Sequence, residues 1–132
     1  FEDCISLVEH IDLAKDFKSA FANFARERVP NARAIQEMAL ENYIEMRDRV
    51  DDSDFLLQRE LEIVLARKYP ERFISRYAMV TFRTTPYAVA QARGVTQRQL
   101  LVEATQGLSR IEDVDMSAVE RLIFERLPPL EH

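Results

Sequence analysis

Residues 77–94 read YAMVTFRTTPYAVAQARG. Met79, Val80, Thr81 and Phe82 form a short β-prone apolar run. A Thr-Thr-Pro turn follows over residues 84–86, and Tyr87 then opens a helical pattern. Most of the remaining chain reads as charged, amphipathic helix, so this stretch decides how far the fold departs from pure helix. The expectation is an all-α fold, an irregular array of about six or seven helices with a short extended segment near residues 78–85. An aromatic, proline-punctuated island in a helical chain is a natural ligand wall or interdomain seam. A plain connector packed on the core accounts for the same residues.

Working outward, residues 1–12 form the first predicted helix. Ile5, Val8 and Ile11 share a side, and Glu2 and Asp3 suit the positive end of its dipole. Phe17, Ala20, Phe21 and Phe24 give a second helix its stripe. Pro30 fits the start of a third, which runs to Val50, with Asn31 as polar punctuation. Residues 51–54, DDSD, supply cap candidates for a fourth helix bearing Leu57, Leu61, Val64 and Leu65 on one face. Pro70 ends it and opens a short helix through Phe73. Pro86 starts a helix that Gly94 closes, and Thr96 caps the next through about Thr105. After Gly107 and a polar linker, Asp115 or Ser117 begins a last helix. Met116, Val119, Leu122, Ile123 and Leu127 lie on its apolar face, and Pro128 and Pro129 stop it. There is no internal repeat and no low-complexity tract.

Composition removes several function classes. The 132 residues make about one domain, and 47% hydrophobic with 31% charged residues describes a soluble globular chain. A net charge of -5 disfavours nucleic acid and anionic membrane as partners. No apolar run has the length of a membrane span. The lone Cys4 excludes an intrachain disulfide and a cysteine zinc site, and it reads as a small buried hydrophobe in a cytoplasmic protein. His10 has no second histidine besides His132, so neither a metal site nor a Ser/His/Asp set can be built. The two glycines, Gly94 and Gly107, cannot form a phosphate-gripping turn. Residues 26–28 (RER) and the pair Asp48 and Arg49 read as solvated surface. Arg83 and Arg93 read as surface arginines beside the island.

Three residues stand out as ligand contacts. Ile35, Met38, Ala39, Asn42 and Met46 share one face of the third helix by three-and-four spacing. Asn42 is the polar member of that stripe. An unpaired buried amide costs about 1–3 kcal/mol, so Asn42 needs a partner, either a core backbone group or a ligand. Met46, one turn on, either fills the core or packs on the same ligand. Tyr77 offers a ring to stack and a hydroxyl to donate to a carboxylate, or else sits half-buried with its hydroxyl in water.

Three segments carry a family resemblance. Residues 1–4 (FEDC) resemble the residues just after the flavin-contacting Gly-Met-Asn-Ala-Gly of the kynurenine 3-monooxygenases. Residues 42–47 (NYIEMR) resemble a helix of that family, and residues 77–82 (YAMVTF), shortly after Tyr69 and Pro70, resemble its C-terminal part. The likeness runs from Phe1 to about Gly94. It implies that residues 1–129 are the C-terminal helical region of an FAD-dependent aromatic hydroxylase, excised without its FAD-binding domain; residues 130–132 (LEH) read separately as the scar of a C-terminal tag. The parent would use FAD, NADPH and O2 to convert L-kynurenine to 3-hydroxykynurenine.

The resemblance implies that Asn42 and Tyr77 orient the substrate's amino-acid end and Met46 packs on it. Phe1 and Glu2 would adjoin the flavin loop, and no residue of this chain would be catalytic. The partners it implies are the parent's own FAD-binding domain and L-kynurenine; the absence of a membrane partner is read from charge and hydropathy, not from the likeness. The chain alone would be inactive and flavin-free. It would self-associate through an apolar patch of Phe1, Ile5, Met79, Val80 and Phe82. Two other readings fit the residues: a helical interaction module with no catalytic role, and part of a related FAD aromatic hydroxylase with another substrate.

Overall fold

Helix α5 (Tyr87–Thr105) is the hub of the molecule. The computed structural model describes residues 1–48, 51–83 and 85–130. Against α5 pack α2 (Phe17–Asp48), α3 (Ser53–Lys68), α4 (Arg76–Phe82) and α6 (Met116–Arg126), while α1 (Glu2–Leu13) rests on α2 alone. A 3-10 turn, Ile111–Asp113, touches α3. No strand occurs among the described residues, so the all-α expectation holds.

The core follows from leucine spacing. Leu57, Leu61 and Leu65 recur every fourth residue, so α3 turns them to one side. There Leu61 and Leu65 meet Leu100 and Leu101 of α5, Val119 and Ile123 of α6, and Phe73 and Leu127 from the flanking turns. Val64, expected on that face, is exposed. The starts of α3 and α6 have a sequence cause. Asp52 accepts the amides of Asp54 (3.0 Å) and Phe55 (3.4 Å), and Asp115 those of Ser117 and Ala118 (3.0 Å each). Gly107, at φ +72°, takes the left-handed turn that ends α5.

Four boundary expectations are corrected. The β-prone run is helical: Ser75 caps it by accepting the Ala78 amide, and Met79 buries itself beside Ile74 and Ala90. Packing overrides β propensity here; only Arg83 and Thr85 of the expected extended segment leave the helix, and Thr84 lies outside the described residues. Pro30 does not open a helix but lies inside α2, which runs for about 48 Å. The cost of its missing amide is local. Its neighbour Asn31 gives its side-chain amide to the Glu27 carbonyl (2.9 Å) and accepts the Ala88 amide (3.0 Å). Asn31 thereby caps α5 from another helix, where Pro86 has no side-chain cap to offer. Gly94 is not a C-cap but the middle of α5. Finally, residues after Pro70 form a turn on the Tyr69 carbonyl rather than a short helix.

Polar residues read as surface also prove structural. Glu27 holds Ser6 (3.0 Å) and His10 (2.9 Å), and Arg28 holds Asp3 (2.6 Å), which pins α1 on α2. Hydrogen bonds from His10, then Ser6, hold the Glu27 carboxyl below its ordinary range. Arg93 is buried. It donates to the carbonyls of Arg72 (2.5 Å) and Pro128 (2.6 Å) and so clips the C-terminal turn to α5. Burial, then the nearby Arg72 charge, pushes its pKa down. Cys4, expected buried, is exposed. Leu130 packs beside the Met79 cluster and donates its amide to Glu71 (3.0 Å). Arg49, Val50, Glu131 and His132, and the side chain of Asp48, lie outside the described residues.

Candidate functional site

The inward face of α2 changes character along its length. Ala34 and Met38 are buried against α5, but one turn later the same face carries Glu41 and Glu45. Arg76, the first residue of α4, pairs with Glu41 and lies 3.8 Å from Glu45; Arg98 of α5 also pairs with Glu45. These charges replace an apolar seam by an ion network joining α2, α4 and α5. Gly94 makes room for it. A Cβ there would sit 2.5 Å from Arg76 Cγ, so any larger residue pushes the arginine aside.

Because polar side chains bridge rather than fill this seam, a cleft of about 460 Å³ remains between α2, α3, α4 and α5. Its walls are Asn42 and Glu45 from α2; Phe55, Gln58, Arg59 and Glu62 from α3; Ser75, Arg76 and Tyr77 from the α4 start; and Gly94, Gln97, Arg98 and Leu101 from α5. The volume falls in the range of small-molecule sites, roughly 300–1,000 Å³.

Asn42 and Tyr77 therefore line one cleft. They arrive there from different helices, and both side chains are exposed at its edge. Met46 is not part of the lining. It lies one turn along α2, 70% exposed, with the Asn42 amide 3.6 Å from its sulfur. The expectation that Asn42 is the buried polar member of an apolar stripe is corrected: the inward residues are Ala34, Met38, Glu41 and Glu45, and the Asn42 register faces outward. Tyr77 is 70% exposed, and its ring meets the Phe82 ring in a T-shaped contact, 5.8 Å between centroids. Phe1 and Glu2 sit on α1, which does not reach the cleft. Glu2 reaches Arg28 at 3.5 Å.

Arg76, Glu45, Arg98 and Gln97 were missed from sequence. The Glu41 and Glu45 repeat, with an arginine just before Tyr77, was a visible signal for the first two, and nothing marked Arg98. Nothing in sequence marked Gln97. No group of histidine, cysteine and carboxylate side chains able to hold a metal occurs among the described residues. None of the described helices is long and apolar enough to cross a membrane.

The apolar patch expected at the surface is only partly present. Phe1, Ile5 and Phe82 are exposed, but Met79 is fully buried and Val80 half-buried, since α4 folds them toward α5. Exposed apolar side chains instead continue from α1 into α2 through Leu13, Phe17 and Phe21.

No family model matches the chain. Curated relatives do. The chain is 56% identical over 131 residues to kynurenine 3-monooxygenase of Stenotrophomonas maltophilia (strain K279a), and 53% identical to the proteins of that name from Xanthomonas axonopodis pv. citri (strain 306) and Xanthomonas euvesicatoria pv. vesicatoria (strain 85-10). Each match covers 99% of this chain but 29% of the relative, so the chain spans under a third of the length of these relatives. The likeness thus extends past Gly94 through the rest of α5 and α6. The chain is homologous to part of proteins bearing that name.

Proposed function

We propose that this chain is the substrate-side helical part of a kynurenine 3-monooxygenase, the C-terminal part of a cytoplasmic enzyme that converts L-kynurenine to 3-hydroxykynurenine with FAD, NADPH and O2. One observation carries the reading: Asn42 and Tyr77, the two residues singled out for the substrate, line a single ligand-sized cleft in a chain half identical to proteins of that name. The Tyr77 hydroxyl can donate to a carboxylate, and the Asn42 amide can both donate and accept at an amino-acid end. Met46, beside Asn42, supplies a soft apolar surface for the ring or its linker. All three side chains are exposed, so the rest of the protein would close over them and exclude water.

The chain's own residues do not fit the flavin nucleotide. Gly94 is committed to the Arg76 contact inside α5 and Gly107 to the turn after it. Neither opens a strand-to-helix phosphate turn. FAD and NADPH would therefore be held by the rest of the protein, and the redox chemistry belongs there. In this scheme Phe1 and Glu2 adjoin the flavin loop, and the chain alone is inactive.

The test is a hydroxylation assay on the complete protein with L-kynurenine and NADPH, following 3-hydroxykynurenine, beside the same assay on the 132-residue chain. The proposal expects product from the first and none from the second. Hydroxylation of other aromatic acids but not kynurenine would move the assignment to a related hydroxylase. A second reading, a helical module that only binds partners or itself, is favoured by the uncovered Ile5, Leu13, Phe17 and Phe21. A complete protein that oxidises no aromatic substrate would favour it.

A further inference from the structure

The cleft has a rim and a floor, and the proposed function uses only the rim. At the floor lies Gln97 of α5, 5% exposed, whose Nε2 has no hydrogen-bond partner. A buried amide left unmatched costs about 1–3 kcal/mol, which an apolar residue at the same place would avoid. The neighbouring carboxylates do not relieve it. Glu45 is taken by Arg98 and Arg76, and Glu62 by Arg59 at 2.6 Å. The walls therefore hold a buried donor that no wall carboxylate accepts.

We infer that the cleft floor is a binding subsite for a small carboxylate, with one oxygen on Gln97 Nε2 and the other facing the Arg76 and Arg98 guanidinium groups. Three observations select that chemistry. The unmatched group is a donor, so the ligand brings an acceptor. A guanidinium has five donors, and those of Arg76 and Arg98 are not exhausted by the glutamates they share. A cleft of about 460 Å³ holds far more than one water. Arg76 is kept at this spot by the missing side chain of Gly94. The subsite stands whether or not the rim takes kynurenine, since it needs neither Asn42 nor Tyr77.

The test uses the 132-residue chain, labelled with 15N, and acetate as probe at constant ionic strength set with chloride. The Gln97 side-chain amide is assigned by its loss in Gln97→Met. With acetate, that resonance and the Arg76 and Arg98 Nε–H resonances shift together and saturate. Gln97→Met, near in shape but without the donor, weakens the arginine response roughly tenfold. Gln97→Glu, which places a like charge beside the anion, abolishes it, and Leu13→Ala, on α1 away from the cleft, leaves it unchanged. Shifts that rise without saturating, or that persist at full strength in Gln97→Met, would overturn the subsite. So would a Gln97 amide that contacts only a bound water at every acetate concentration.

Discussion

The α3–α5–α6 region and the α1–α2 hairpin are both amphipathic helix in sequence, yet they are held together by different physics. In the first, Leu61, Leu65, Leu100 and Ile123 are fully enclosed by one another. In the second, Ile5, Leu13, Phe17 and Phe21 face solvent, and the helices meet through Arg28 with Asp3, Glu27 with His10 and Ser6, and the edge of the His10 ring on Phe24. Exposed polar pairs contribute little. The first region is stabilised by its own core. The hairpin presents an apolar face that its own chain does not cover. The cleft lies at the end of α2 away from α1, where the inward face of α2 passes from buried Ala34 and Met38 to Glu41 and Glu45.

The sharpest way to break this contrast is truncation on either side. Ile123→Ala or Leu61→Ala is expected to cost about 2–5 kcal/mol in urea unfolding, as fully buried side chains do. Leu13→Ala or Phe17→Ala is expected to change stability by no more than about 0.5 kcal/mol. Equal losses on both sides would erase the distinction. Next in size are the caps: Asp52→Ala and Asp115→Ala should each cost about 1 kcal/mol by the same measurement. A smaller effect sharpens the polar character of the hairpin. Glu27 has its pKa lowered by His10 and Ser6, so its stabilisation is complete above the ordinary glutamate range and is lost as pH falls through the folded value. Protection factors in α1, corrected for the intrinsic pH dependence of exchange, should therefore fall on acidification below that range, with those in α3 unaffected, and Glu27→Gln should flatten the response.

Much of the fold was legible because helix periodicity and caps are local. Asp52, Asp115 and Gly107 act where their positions in the sequence place them. What misled was tertiary. Pro30 and Gly94 look like boundaries, but α2 and α5 run through them because each meets a partner element there: Asn31 caps α5, and Gly94 admits Arg76. The β-prone residues 79–82 are helical because Met79 is worth more in the core than β preference can oppose. For the site, Asn42 and Tyr77 were named from residue chemistry and likeness, and they share a cleft. The burial expected of Asn42 failed because a stripe through 35, 38, 42 and 46 and one through 34, 38, 41 and 45 differ by a fraction of a turn. Gln97 gave no signal, since a glutamine on a helix reads as surface until its neighbours are known.

The central claim is that Asn42 and Tyr77 together hold one amino-acid substrate. Its most direct test is steady-state kinetics of the complete protein carrying Asn42→Ala, Tyr77→Phe or the control Leu13→Ala, with flavin content checked in each. Loss of a hydrogen bond to a charged group predicts a rise in KM for L-kynurenine of roughly tenfold to a hundredfold for each of the first two, with flavin retained and the control unchanged. Unaltered KM and kcat in both Asn42→Ala and Tyr77→Phe would contradict the account.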